Sequence, residues 1–69
     1  MNPIVKQTQY GDTIWVSDPY LAAEALVTWA CFTHGHSVHT IMNVGNGCVK
    51  VDIPGLTIIT YAPEGLIGA

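Results

Sequence analysis

The sequence predicts an α+β domain in the order ββαβββ, with one helix packed on one face of an antiparallel sheet. Three observations lead there: an apolar stretch over 18–34 with a start and a stop signal, a switch to two-residue alternation beyond Gly35, and turn dipeptides at Asn46-Gly47 and Pro54-Gly55 between the alternating runs.

The N-terminal part reads as a strand over 4–10, a Gly11-Asp12 turn and a second strand over 13–16. Gln7 and Gln9 then share a face with Ile14 and Val16, while Thr8 falls with Trp15. Neither face is purely apolar, so a bulge or an edge position is expected. Ser17-Asp18-Pro19 starts the helix, because a capping side chain accepts an orphan backbone N–H and proline in the first turn loses no hydrogen bond. Gly35 stops it by its access to the left-handed conformation. At about 100° per residue, Leu21, Ala22, Ala25, Leu26, Trp29, Phe32 and Thr33 form one broad arc, which is expected to face the core.

Strands near 37–44 and 48–53 follow, joined by Asn46-Gly47 as a two-residue type I′ turn. That turn sets Val44 opposite Val49, Met42 opposite Val51 and Thr40 opposite Ile53, which gathers apolar residues on one face. Pro54-Gly55 favours a type II turn that fits tight hairpins poorly, so a longer or bulged loop is the alternative to a simple turn here. The strand at 56–62 completes a three-stranded meander, with Ile53 meeting Leu56 and Val51 meeting Ile58 in the simple register.

The chain has 69 residues, of which 49% are hydrophobic and 10% charged, with a formal net charge of -3. That is one domain, residues 1–69, far from the polar balance of disordered chains and small enough that burial against another surface contributes noticeably to its stability. Lys6 and Lys50 are the only basic residues besides histidine. A nucleic-acid interface needs several cations to neutralise phosphates, so direct binding to DNA or RNA is not expected. Cys31 and Cys48 are the only cysteines, and the start at Met1 lacks the charged head and apolar centre of a secretory signal, which points to free thiols in a reducing cytoplasm. The longest apolar stretch, 20–32, contains Glu24 and Thr28 and is shorter than the roughly 20 residues that span a bilayer. No membrane partner is expected.

His34-Gly35-His36-Ser37-Val38-His39 is the densest polar cluster, and imidazole is the commonest metal ligand. No carboxylate or cysteine lies close by in sequence to complete a ligand set, and His34 suits a helix end for its favourable meeting with the last carbonyls. The expectation is no metal and no cofactor. Cys31 beside His34 is a poor nucleophile pair, because the C-terminal end of a helix disfavours a thiolate. Gly45-Asn46-Gly47 joins two strands, whereas a phosphate loop joins a strand to a helix N-terminus. With no catalytic motif and five dispersed carboxylates, the chain is expected not to be an enzyme.

Two surfaces remain. Opposite the expected core arc lie Tyr20, Ala23, Glu24, Val27 and Cys31, of which only Glu24 is charged. On the outer face of the meander lie His39, Ile41, Asn43, Cys48, Lys50, Asp52, Thr57, Ile59 and Tyr61. Both are poor in charge and contain aromatic or aliphatic groups, as interface centres do. The expected protein-contact residues are Tyr20, Glu24, Val27, Cys31, Ile41, Asp52, Ile59 and Tyr61. The tail adds Leu66 and Ile67.

In its compact length, its acidic balance, its lack of catalytic motifs, and a helix over Asp18–His34 packed with a meander carrying Asn46-Gly47, the chain resembles the small anti-defence proteins of bacteriophages and mobile elements, anti-CRISPR proteins among them. The resemblance is one of type across the whole chain; it transfers no residue. It implies an inhibitor in the host cytoplasm that occupies a surface of a CRISPR-Cas effector subunit. The alternative is a structural or accessory subunit that acts by homo-oligomerisation, as a dimer in the simplest case.

Overall fold

Asp18 bounds the helix through its side chain and Gly35 through its backbone freedom. In the computed structural model, which describes residues 4–8 and 11–66, α1 spans Pro19–His34. Asp18 sits in extended conformation, and its Oδ1 accepts the Leu21 N–H at 3.1 Å. At the other end Gly35 takes φ +70°, the Gly35 N–H donates to the Cys31 carbonyl at 3.1 Å and the His36 N–H to the Ala30 carbonyl at 3.0 Å. The Gly35 N–H bond to the Cys31 carbonyl closes the last turn as a left-handed (αL) cap.

Beside α1, the described residues form five strands: β1 (Ile4–Thr8), β2 (Gly11–Val16), β3 (Thr40–Asn43), β4 (Val49–Ile53) and β5 (Thr57–Pro63), followed by a 3-10 turn over Glu64–Leu66. They make one sheet in the order β1-β2-β5-β4-β3. The α+β class and the element order are those expected, but the sheet is mixed rather than fully antiparallel, because β2 and β5 pair in parallel. A parallel pair needs a long crossover, and α1 with the β3–β4 hairpin supplies it. Gly11 and Asp12 belong to β2 and not to a turn as expected, since Thr8 pairs with Gly11; Gln9 and Tyr10 lie outside the described residues. The expected edge position is where β1 stands.

Each turn of the meander contains one residue more than the tightest connection. Gly45 at φ +92° precedes Asn46 at φ +56° and Gly47 at φ +78°; the Cys48 N–H donates to the Gly45 carbonyl and the Val44 N–H to the Cys48 carbonyl. The I′-like turn is therefore present, but Gly45 is an added residue before it. Ile41 consequently faces Val51, and Asn43 faces Val49. The second turn, with the Leu56 N–H donating to the Ile53 carbonyl at 2.9 Å and Gly55 at φ +81°, likewise leaves Leu56 extra, so Thr57 pairs with Ile53, Ile59 with Val51 and Tyr61 with Val49. Since side chains alternate with period two, each one-residue slip turns a whole strand over. β4 keeps its expected orientation, while β3 and β5 are reversed relative to it.

The core is the resulting layer. Val49, Val51, Ile53 and Tyr61 are buried from the sheet, Ala23 and Ala30 from the helix, and Ile14, Val16, Ala22, Leu26, Val27, Ile41, Leu56 and Ile59 pack around them. Of the expected helical arc only Ala22 and Leu26 pack against this layer. Leu21, Ala25, Trp29, Phe32 and Thr33 are exposed instead. The helix is turned by about 100°, one residue's step, from the expected orientation. The reason lies in size: β-branched residues crowd the sheet surface, and alanines at 23 and 30 bring the helix backbone down onto them.

Ile53 is 1% exposed, and Ile53→Ala is expected to lower unfolding free energy by about 2–5 kcal/mol in urea titration, as a buried cavity does. Gly47→Ala is expected to cost about 1–2 kcal/mol in the same assay, because of the positive φ, with an added Cβ 3.1 Å from Pro63 Cγ.

Candidate functional site

Seating the small residues of α1 on the sheet leaves its large ones outside. Leu21, Ala25, Thr28, Trp29 and Phe32 recur at helical spacing on the side away from the core, and Leu21 is 61%, Trp29 46% and Phe32 86% exposed. Tyr20, Glu24 and Cys31 flank this stripe and are also exposed. Glu24 is the only Asp, Glu, Lys or Arg within the helix. A helix that is only solvated on this side would carry several charges; three large apolar groups here form a patch of the kind that marks an interaction site.

The sequence-predicted contact residues separate into two groups. Tyr20, Glu24 and Cys31 are at the surface, and Asp52 is half-buried on the sheet face away from the helix. Val27, by contrast, packs against the core because α1 is rotated, and Ile41, Ile59 and Tyr61 turn inward because of the added turn residues. These four lie in or against the core, so the outer-face position expected for them does not hold. Leu21, Trp29 and Phe32, assigned to the core by periodicity, take their place on the surface. The signal for this was the pair Ala23 and Ala30, seven residues apart on one face, which makes a flat seat.

The sheet face opposite α1 is of different character. Across it the register aligns Thr40, Asp52 and Ile58 in one row and Met42, Lys50, Thr60 and Thr13 in the next. Trp15 neighbours Ala62, which is 4% exposed. Met42 and Ile58 are exposed, but they stand among threonines and the charges of Lys50 and Asp52, a mixture that water solvates more readily than the helical stripe.

The histidines diverge. His34 meets Trp29 edge-to-face, with ring centroids 4.6 Å apart. The His36 Cε1 lies 3.7 Å from where a Cβ on Gly55 would stand, which places that ring beside the second meander turn. His39 is exposed in the linker before β3 rather than on a strand. Among the described residues no three histidine, cysteine or acidic side chains are grouped to hold a metal. Cys31 and Cys48 are free thiols, the first exposed and the second half-buried. Among the described residues, no helix is long and apolar enough to cross a membrane.

Burial raises the Tyr61 phenol above its ordinary value of 10.0 by desolvating the phenolate. Below that value both folded and unfolded chains keep the proton. As pH rises past it the unfolded chain releases the proton first, so Tyr61 makes stability fall with increasing pH. Tyr61→Phe is expected to flatten this alkaline loss in melts recorded above about pH 10; an unchanged alkaline slope contradicts the assignment. The His36→Ala, His39→Ala double variant is expected to melt near the original temperature and to leave the metal content by elemental analysis unchanged. A stoichiometric metal lost in the double variant contradicts the divergent placement.

In comparisons with known proteins, no family model, no curated protein and no solved structure matches this chain.

Proposed function

We propose that the chain is a non-catalytic protein-binding domain and that the outward stripe of α1 is its contact surface. The observation that carries this reading is the exposure of Leu21, Trp29 and Phe32 together on a helix with one charged residue. Interface energy concentrates in a few aromatic and aliphatic anchors surrounded by small contacts, and Ala25 and Thr28 between the large groups supply such surroundings. The resemblance to small anti-defence proteins makes an inhibitor of a host defence complex the finer form of this proposal, with a CRISPR effector subunit as the first partner to assay. The second reading, a subunit that associates with itself, is favoured by the order of side-chain sizes along the same stripe.

Binding of the chain to immobilised effector complexes tests the finer form. Phe32→Asp and Leu21→Asp are each expected to weaken binding by about 2 kcal/mol or more, while Met42→Asp on the opposite face leaves it within a few tenths. Circular dichroism should show all three folded, since the three side chains are exposed. Stripe variants that bind as the original does contradict the contact assignment; no binding by the original contradicts the choice of partner.

A further inference from the structure

Resting on that reading, we infer that the occupant of the α1 stripe is a second copy of this chain, paired helix to helix in antiparallel orientation about a two-fold axis level with Leu26 and Val27. The order Leu21, Ala25, Thr28, Phe32 has spacings of four, three and four, so it reads the same from either end. Reversed on itself, it sets Leu21 against the partner's Phe32 and Ala25 against the partner's Thr28. Small residues at the centre let the two backbones approach, and large ones close the ends, as a self-complementary two-fold contact requires. Trp29 covers one flank of both helices.

Charge and area point the same way. No ionisable group lies within the stripe, so two identical surfaces meet without like-charge repulsion there. Antiparallel α1 helices also oppose their dipoles, bringing the Asp18-capped start of one beside the His34 end of the other. Taking an aromatic side chain at about 150–250 Å² and leucine at roughly 180 Å², the exposed parts of Leu21, Trp29 and Phe32 amount to about 400 Å² per protomer. Two protomers, with Ala25 and Thr28 of the stripe and the flanking Tyr20, Glu24 and Cys31 added, approach the lower edge of specific interfaces, about 1,200 Å². The dimer stacks as sheet, helix, helix, sheet, with both open sheet faces outward.

Sedimentation equilibrium of the 69-residue chain between about 5 and 500 µM tests the pairing. The expected result is a monomer–dimer equilibrium that Leu21→Glu and Phe32→Lys each weaken at least 10-fold, both variants keeping the original circular dichroism spectrum. Mixed in equal amounts, these two variants should associate at least 10-fold more tightly than either alone. The antiparallel register sets the carboxylate introduced at position 21 of one chain against the ammonium introduced at position 32 of the other, and it leaves the second Phe32–Leu21 contact whole. Thr28→Glu, at the centre, serves as a further variant and should also abolish the dimer. A monomeric original chain over the whole range overturns the inference, as does a mixture no tighter than its components. If the original is monomeric while Phe32→Asp still loses an immobilised partner, the self-pairing falls and the contact surface stands; if neither is affected by the stripe variants, both fall.

Discussion

The packing of Ala23 and Ala30 against Val49, Val51, Ile53 and Tyr61 is the contact on which the remaining structure depends. Among the described residues one helix covers one face of the sheet, so the large apolar side chains on that inner face have to be matched by what the helix presents. The sheet supplies the bulk, and the helix answers with small residues. The opposite choice, with Trp29 and Phe32 directed inward over the same valines and isoleucine, overpacks the layer and lifts the helix away from it.

This seat has a consequence on the other side of α1. A helix with one charged residue has no polar face to give to water, and burying the alanine side sends Leu21, Trp29 and Phe32 outward. The same residues that make the helix apolar enough to fold onto the sheet thus make its far side adhesive. The sheet's second face avoids the problem by another route, through Thr13, Thr40 and Thr60 among Lys50 and Asp52. Between two uncovered surfaces, the helical one is therefore the better protein-contact candidate on apolar exposure alone.

Features controlled by neighbouring residues were legible in the sequence. Asp18 and Gly35 mark the helix ends by local hydrogen bonding and backbone freedom, and Asn46-Gly47 marks a reversal by its positive dihedrals. Register was not, because Gly45 and Leu56 each count as either the end of a strand or an added turn residue, and one residue decides which face Ile41, Ile59 and Tyr61 occupy. Periodicity located the apolar helix but had no means of choosing between its two apolar sides, so Val27 was read as a contact and Phe32 as core. The parallel β2–β5 pair joins segments more than forty residues apart and has no local signature. Of the expected contact residues, Tyr20, Glu24 and Cys31 lie at the surface, on the flank of a stripe whose main members the helical periodicity assigns to the core.

The orientation of α1 is the central claim, and paired unfolding measurements on Ala30→Leu and Phe32→Ala in dilute solution test it most directly. If the alanine seat is as described, Ala30→Leu overpacks a fully buried position and costs about 1–3 kcal/mol, whereas Phe32→Ala changes stability by no more than about 0.5 kcal/mol. The reverse ranking, with Phe32→Ala costing several kcal/mol and Ala30→Leu tolerated, would place the large residues in the core and contradict the account.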